Sequence, residues 1–368
     1  MENRTGRKRL AFSCAGEGFG HIARIVALSE YLENEYDIVY FVPDTVRGFL
    51  RQHLGGVKTV VIPSFHFVLE NHSIDYVKTA AGNISYIFQF EKIISGIRSQ
   101  LSDCRIDAVV CDFEPFVSRA ALSLGIPLMN FSHPGILIKT LPFTPAGIIS
   151  RLVARFMTPG AQVTAFCSFY DGETGPVIRK EIRMQKPTAG NYFLVYTKQD
   201  SRKKMFKSLK KFPEYRFEVY PGNDRNFAEA LAGCRGVIAP AGHQLISEAL
   251  YLGKPVLAFP QKGQYEQTVN ARMLQKSGRG MYGRLRHAER DMKKFFTLID
   301  KFPFPPDPFE RFCFTDDTPH VIDLIHRFVF ENTVLTEGTP VHTYTYFDAF
   351  LEKMTLIQER LNSSRSSA

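Results

Sequence analysis

The chain has 368 residues, with 46 Lys or Arg against 37 Asp or Glu, so its formal net charge is +9. Apolar residues make up 44% and charged residues 23%, a balance that excludes a disordered or fibrous protein, and at about 150 residues per domain the length predicts two domains. No apolar run reaches the roughly 18 residues of a membrane span, and residues 1–9 lack the apolar core of a secretory signal. The six cysteines form no CxxC pair. We therefore expect a protein of the reducing cytosol without disulfides or a zinc ribbon.

Strand and helix patterns alternate in the first half of the chain. Short apolar runs predict strands at 10–14, 38–42, 57–62, 108–111 and 127–131, and helical spacing predicts helices at 22–32, 74–101 and 115–124. Apolar strands that alternate with helices are typical of a parallel sheet covered on both faces. We therefore predict a doubly wound α/β domain over residues 1–170.

The second half repeats the same alternation. Residues 171–190 combine Gly, Pro and charge with weak periodicity, which predicts an interdomain linker. Strands are then predicted at 192–196, 216–220, 237–239 and 256–259, and helices at 202–210, 227–232, 243–252 and 266–276. These patterns predict a second doubly wound α/β domain over 191–345, followed at 346–368 by a return helix and a disordered Ser-rich tail.

One segment of the first domain has an unusual composition. From Pro115 to Tyr170 there is no Asp or Glu, although Arg and Lys are present. Within it, one apolar stripe recurs at helical spacing, formed by Ile148, Ile149, Leu152, Val153, Phe156 and Met157. We favour a helix whose stripe faces the core while its basic residues face solvent. The alternative is a surface helix that dips into an anionic membrane.

The first candidate site is the loop 16–21, Gly-Glu-Gly-Phe-Gly-His, after the first strand. Glycines permit a tight turn and close approach to a ligand, and the helix start offers free N–H groups. The third glycine of a dinucleotide fingerprint is replaced by His21, which disfavours an NAD site. Ligands of open α/β sheets bind at this edge, where His21 can accept a proton near neutral pH. The alternative is a structural or capping histidine.

The second candidate is Asp112-Phe113-Glu114-Pro115, at the end of the fourth strand and at the same sheet edge. A carboxylate bonded to one imidazole nitrogen fixes the tautomer and stabilises the charged ring. We prefer Asp112 as this orienting acid and keep Glu114 in reserve. The alternative is that an acid here caps the next helix.

The third candidate lies in the second domain. Residues 240–248 join a strand to a helix through small residues, and the free N–H groups at that helix start favour a pyrophosphate. Glu248, about two turns into the helix, is placed to accept both hydroxyls of a ribose. After the next strand, Glu266 and Gln267 open a helix at the sheet edge, where they can bond sugar hydroxyls.

Together these motifs resemble the GT-B glycosyltransferases, in particular the UDP-glycosyltransferases and the N-acetylglucosaminyltransferase that makes lipid II. The segment 239–280 is similar to their donor-binding region, and the positions that match are Gly242, Glu248, Glu266, Gln267, Asn270 and Ala271. The residues Gly18-Phe19-Gly20-His21 resemble their G-x-GH loop, and 176–179 resembles the segment that opens their linker. The run 11–280 resembles a little-characterised bacterial and archaeal branch of these enzymes.

The resemblance implies two Rossmann-like domains that face each other across a cleft. It implies an inverting, metal-independent transfer of a sugar from a UDP-sugar to a hydroxyl acceptor, with His21 as the base and no cofactor. The donor would contact Gly242, His243, Gln244, Glu248, Glu266 and Gln267. The acceptor-side loop would include Gly18, Phe19, Gly20, Glu114 and His133. Because Pro240 replaces a histidine of the plant enzymes, backbone N–H groups, His243 or Gln244 would contact the phosphates.

The acid-free segment is the clue to the acceptor, which we expect to be a glycan or a lipid-linked molecule. We therefore expect a cytoplasmic protein with peripheral contact to the inner face of an anionic membrane. Two alternatives remain: an isomerase similar to nucleotide-sugar 2-epimerases, and a non-catalytic nucleotide-sugar binder. Nucleic acid is disfavoured because the basic stretch 202–211 has few interleaved aromatic residues, and a solvated helix face explains it better.

Overall fold

The structure is a computed structural model that describes residues 6–66, 68–70, 73–74 and 76–334. The helix and tail predicted for 346–368 lie outside the described residues.

The first domain is built on a parallel sheet of six strands in the order β3-β2-β1-β6-β7-β8. These strands are β1 (Arg9–Cys14), β2 (Asp37–Pro43), β3 (Lys58–Ile62), β6 (Ala108–Asp112), β7 (Leu128–Ser132) and β8 (Val163–Phe166). A separate antiparallel pair consists of β4 (Leu69–Glu70) and β5 (Ser73–Ile74). Residues of β6 and β7 are buried throughout because helices cover both faces of the sheet, which explains their unbroken apolar runs.

Six helices accompany this sheet. They are α1 (Gly20–Leu32), α2 (Asp44–Leu54), α3 (Tyr76–Phe88), α4 (Phe90–Asp103), α5 (Pro115–Ser123) and α6 (Pro145–Met157). The long helix predicted over 74–101 is divided at Gln89, whose backbone leaves the helical region. A short 3₁₀ turn, Pro134–Ile138, follows β7.

A short helix α7 (Lys180–Arg183) lies in the predicted linker, and a second parallel sheet follows in the order β10-β9-β11-β12-β13. Its strands are β9 (Tyr192–Tyr196), β10 (Arg216–Tyr220), β11 (Gly236–Pro240), β12 (Val256–Phe259) and β13 (Gly280–Tyr282). The later helices are α8 (Gln199–Leu209), α9 (Phe227–Gly233), α10 (His243–Tyr251), α11 (Tyr265–Lys276), α12 (Ala288–Leu298) and α13 (Thr318–Val334), with 3₁₀ turns at Leu285–His287 and Ile299–Lys301.

The chain returns to the first domain at α13. Val321, Ile325 and Phe328 are buried in the same apolar cluster as Leu28 of α1 and Tyr40 of β2. This return falls within the range 191–345 that we predicted for the second domain. Within the described part of the chain, no helix is long and apolar enough to cross a membrane.

Helix α6 presents its larger apolar side chains to solvent. Ile148, Ile149, Leu152 and Val153 are 55%, 47%, 55% and 36% exposed, so the core-facing interpretation that we favoured is wrong for these four residues. The buried residues of α6 are Gly147, Ala154 and Met157. The start of the helix packs closely on α11, since a Cβ at Gly147 would lie 2.6 Å from Cζ of Tyr265.

Candidate active site

The candidate site lies at the carboxyl ends of two neighbouring strands, where the order of the first sheet reverses. Cys14 ends β1 opposite Asp112 at the end of β6, and the chain continues from these strands in opposite lateral directions. Such a switch point leaves a crevice that ligands occupy in open α/β sheets. The start of α1 faces the start of α10 across the domains, since a Cβ at Gly20 would lie 3.7 Å from Cβ of Gln244.

His21 and Asp112, 91 residues apart in sequence, form a hydrogen bond between Nδ1 and Oδ1 of 2.8 Å. Because an ionised carboxylate only accepts hydrogen bonds, Nδ1 carries the proton of the neutral ring and Nε2 keeps its lone pair. The ring lies parallel to that of Phe113 at 6.1 Å, and the backbone of Phe113 has φ of +60°. The pair that we predicted from the sequence is therefore assembled, with Nε2 unbonded within the described residues.

Arg24, which we did not predict, completes this group. Its Nε donates to Oδ2 of Asp112 at 2.8 Å, and Arg24 and Asp112 are only 3% and 2% exposed. Burial by itself would raise the pKa of Asp112, but the charges of Arg24 and His21 and their hydrogen bonds outweigh it and lower the pKa below the ordinary value. The signal in the sequence was a lone cation among the buried apolar residues of α1, one turn after His21.

Glu114 does not contact His21 as the orienting acid for which we kept it in reserve. Its carboxylate caps α5, accepting from the N–H groups of Phe116 and Val117 at 2.7 Å each, and Ser13 donates to it at 3.2 Å. The side chain is 1% exposed, and burial raises the pKa of Glu114 to about 7. The helix-cap alternative thus describes Glu114, while Asp112 is the acid at His21.

The rest of the acceptor-side loop is open at its tip. Gly18 has φ of +73°, a conformation that favours glycine, and it leads into the start of α1 at Gly20. Phe19 is 52% exposed, and its ring stacks on that of Phe49 at 5.3 Å. An exposed apolar surface therefore lies two residues before His21 in the sequence.

On the other domain, α10 begins at His243 with Gly242 as its N-cap residue. Nε2 of His243 accepts from the N–H of Phe169 at 3.2 Å, so Nδ1 carries the proton. Within the described residues this buried Nδ1 has no hydrogen-bond partner. Burial lowers the pKa of His243 well below its ordinary value, so the ring is neutral. A helix start with an unpartnered buried donor is suited to an anion.

Glu248 is 1% exposed, and the linker holds its carboxylate. Arg179 donates from Nε to Oε1 at 2.7 Å and from its terminal nitrogen to Oε2 at 2.8 Å, which is a bidentate ion pair. Gln244 also donates to Oε1, at 2.9 Å. A ribose at Glu248 would therefore have to use the lone pairs that Arg179 and Gln244 leave free.

The two residues that open α11 differ in accessibility. Gln267 is 7% exposed, accepts from the N–H of Gln261 at 2.9 Å and donates to Gln264. The side chain of Glu266 is 30% exposed, and its Oε1 accepts from Asn270 at 3.0 Å. Glu266 is thus the more accessible of the two residues, and its carboxylate can contact a ligand.

His133 lies in the interface between the domains. Its Nε2 is 2.9 Å from Oδ1 of Asn270, its Nδ1 is 3.1 Å from the carbonyl of Cys167, and its ring stacks on His243 at 3.6 Å. Tyr170 donates to the same Oδ1 at 2.8 Å. His133 is 1% exposed, so it joins the two domains at the base of the cleft.

Comparisons with known proteins agree with this arrangement. The sequence profile described as Glycosyl transferase family 1 matches residues 8–300. An uncharacterized glycosyltransferase of Methanosarcina acetivorans is 24% identical in an alignment 331 residues long, which covers 76% of this chain and 85% of the relative. A second, of Methanosarcina mazei, is 47% identical over 49 residues, 13% of this chain and 12% of that protein.

Solved structures resemble the whole fold. MurG of Acinetobacter baumannii aligns with a TM-score of 0.57 and 17% identity over 87% of this chain and 99% of its own. The calicheamicin glycosyltransferase CalG4 has a TM-score of 0.55 and 14% identity over 89% and 99%. UGT2 of Phytolacca americana, solved with UDP-2-fluoro-glucose and pterostilbene, has a TM-score of 0.54 and 13% identity over 91% and 97%.

Proposed function

The chain belongs to glycosyl transferase family 1 and is a glycosyltransferase of the GT-B fold, and from this premise we propose that it transfers a sugar from a UDP-sugar to a hydroxyl acceptor with inversion at the anomeric carbon. The observation that carries the proposal is the hydrogen-bonded group of His21 with the buried Asp112 and Arg24 at the sheet edge. The solved plant neighbour that holds UDP-2-fluoro-glucose supports the choice of UDP.

The proposed base is Nε2 of His21. It takes the proton of the acceptor hydroxyl as that oxygen forms a bond to the anomeric carbon, and the bond from that carbon to the β-phosphate oxygen of UDP breaks. Asp112 stabilises the imidazolium formed and holds the ring orientation. Arg24 keeps Asp112 ionised, as the lowered pKa of that carboxyl indicates.

The start of α10 is the proposed site of the diphosphate. The free N–H groups after Gly242 and the Nδ1–H of His243, which has no partner within the described residues, both favour an anion at this place. These fixed donors would stabilise the negative charge that develops on UDP, so we propose that the reaction needs no metal ion or other cofactor. Glu248 would bind the ribose and Glu266 the transferred sugar.

Replacement of the base tests this mechanism. We expect His21→Ala to lower kcat by about a hundredfold or more, because general base catalysis contributes at least that much. UDP binding, measured by calorimetry, should be unchanged. The matched control is His287→Ala, an exposed histidine of the second domain, which should keep full activity. Near-normal transfer by His21→Ala would remove the basis for the assignment.

We also propose that the acceptor is reached at an anionic membrane surface, where it is a lipid-linked molecule or a glycan. The support is the outward apolar face of α6, formed by Ile148, Ile149, Leu152 and Val153, beside Arg151 and Arg155 of the same helix. An amphipathic helix with apolar and basic residues of this kind binds membrane interfaces.

Vesicle flotation tests the membrane contact. The double variant Ile148→Ser/Leu152→Ser should bind vesicles that contain phosphatidylglycerol about tenfold or more weakly, because it loses two large apolar side chains. Met184→Ser, which also removes an exposed apolar side chain (72%) but lies in the linker, is the control. Failure of the unaltered protein to bind such vesicles at any salt concentration would defeat this part of the proposal.

A further inference from the structure

A basic groove lies at the edge of the sheet of the second domain, and its lining contains none of the residues of the candidate active site. It follows the edge strand β13 between α11 and α12 and has a volume of 710 Å³. Five exposed cations line it, namely Arg272, Lys276, Arg284, Arg290 and Lys294. The groove therefore concentrates positive charge in a concave surface, which strengthens the local potential for anions.

The cations of this groove are only partly compensated by acids. Lys276 pairs with Asp307 and Glu310, and Arg290 pairs with Asp291 at 3.0 Å. Within the described ranges, Arg272, Arg284 and Lys294 have no carboxylate within salt-bridge distance. Asp291, the acid that lines the groove, is 7% exposed and also accepts from the backbone N–H of Arg284 at 2.8 Å. The groove thus retains unpaired positive charge that a bound anion would balance.

One cation of the groove contacts the segment that leads into α6. The guanidinium of Arg272, which lines the groove, lies 3.8 Å from the ring centre of Phe143. Phe143 and Leu141, exposed by 43% and 81%, immediately precede α6. A cation of the groove therefore contacts an exposed aromatic side chain of the first domain, just before α6.

From this contact between the basic groove and the apolar segment at α6 we infer that the groove binds the phosphate headgroups of anionic membrane lipids while the apolar face of α6 contacts their acyl region. A phosphodiester fits the donors, because guanidinium and ammonium groups from α11, α12 and the loop after β13 converge on it. The inference rests on the membrane contact proposed above and adds a second, polar anchor on the other domain. Since each domain then contacts the same surface, the cleft between them is held at the membrane.

Charge removal in the groove tests the inference. The variant Arg284→Ser/Lys294→Ser removes two cations that have no partner acid, and neither residue belongs to the proposed catalytic machinery. We expect its affinity for phosphatidylglycerol-containing vesicles to fall by about tenfold to thirtyfold, since each Lys or Arg near an anionic surface contributes about one factor of five. Binding to vesicles of phosphatidylcholine alone should not change.

A control variant distinguishes a site from general positive charge. Lys203→Ser/Lys207→Ser removes two exposed lysines of α8, on the other basic surface of the same domain, and should keep most of the vesicle affinity. An equal loss in both variants would overturn the inference. So would a groove variant that binds vesicles normally but loses binding of inorganic pyrophosphate or of a single-stranded oligonucleotide, because the groove would then serve a soluble anion or a nucleic acid.

UDP calorimetry separates this inference from the proposed activity. The groove variant should bind UDP as the unaltered protein does, since the groove lies outside the cleft. If UDP binding and sugar transfer hold while vesicle affinity is unchanged in the groove variant, the groove inference fails and the glycosyltransferase proposal stands. If Ile148→Ser/Leu152→Ser also leaves vesicle binding unchanged, the membrane contact itself fails.

Discussion

At the scale of single residues, the site depends on contacts between distant parts of the sequence. His21 and Asp112 were predictable because both follow parallel strands whose carboxyl ends meet at one edge. Arg24 was not, because its role depends on burial beside a carboxylate 88 residues away. Arg179 matched the linker motif, but its bidentate contact with Glu248 depends on tertiary packing. Residue type and element order therefore predict the His21–Asp112 pair, and only the folded chain reveals what holds it.

The orienting role of Asp112 gives the first prediction. Asp112→Asn should lower kcat by about a hundredfold or more with little change in the KM for the donor, because an amide neither fixes the productive tautomer nor stabilises the imidazolium. Steady-state kinetics with the donor varied would measure both constants. Asp44→Asn, an exposed aspartate on α2 whose side chain is 68% accessible, is the control. A rise in KM with normal kcat would contradict the assigned role.

The second prediction concerns the buried cap of α5. Burial raises the pKa of Glu114 to about 7, against 4.5 for an ordinary glutamate. The folded chain therefore holds this proton more tightly than the unfolded chain does, and the free energy of unfolding should fall as the pH rises from 4.5 to 7. The contribution of this group is up to about 3 kcal/mol.

Glu114→Gln isolates this effect, since the amide oxygen still accepts from the start of α5 but does not titrate. Urea unfolding of both proteins across this pH range should show the decline in the parent and a smaller decline in the variant. Parallel pH profiles would contradict the raised pKa.

At the scale of elements, the alternation of apolar runs predicted most of both sheets, because buried parallel strands need apolar residues on both faces. The short strands β8 and β13, with four and three residues, gave too little pattern to predict. Our prediction for α6 was wrong for Ile148, Ile149, Leu152 and Val153, which face solvent, whereas Met157 of the same stripe is buried. Hydrophobic periodicity alone identifies the apolar face but not what covers it.

The close packing of α6 on α11 gives the third prediction. In Gly147→Ala the new Cβ would lie within 2.9 Å of two ring atoms and the hydroxyl oxygen of Tyr265, so the tyrosine must move. We expect the free energy of unfolding to fall by about 1–3 kcal/mol, although alanine favours helices over glycine by about 1 kcal/mol. Gly96→Ala is the matched control, because it lies within α4 with open space around its Cβ position. It should be neutral or stabilise the protein, and equal effects of the two variants in denaturant unfolding would contradict the packing argument.

At the scale of the whole molecule, contacts at the base of the cleft join the domains. The two-domain plan was predictable from the repeated strand–helix alternation, whereas the path of α13 back to α1 was not, because we assigned these residues to the second domain and helical spacing does not say which domain a helix packs against. Asn270 of the second domain bonds to His133 and Tyr170 of the chain before the linker. The amide nitrogen of Asn270 donates to the carboxylate of Glu266. Because residues across the interface hold Asn270, they also help to orient the carboxylate that we propose to contact the sugar.

The last prediction concerns the attachment of the linker to α10 through Arg179 and Glu248. Arg179→Ala would leave the carboxylate of Glu248, which is 1% exposed, without its cation, so the free energy of unfolding should fall by about 3–5 kcal/mol. In Arg179→Ala/Glu248→Ala the loss should be clearly less than the sum of the two single losses, because no unpaired charge stays buried. Arg179→Lys keeps the charge but not the bidentate geometry and should lie between the parent and Arg179→Ala.

Unfolding in urea measures the cycle, and calorimetry with UDP measures its effect on the donor site. Glu248→Ala should weaken UDP binding because it removes the proposed ribose contact, whereas Arg179→Lys should weaken it less, because the carboxylate is still present with a cation beside it. Strictly additive unfolding energies would mean that the ion pair does not couple the linker to α10. Normal UDP binding by Glu248→Ala would mean that this carboxylate only stabilises the fold. The ion pair would then join the linker to the second domain without a part in donor recognition.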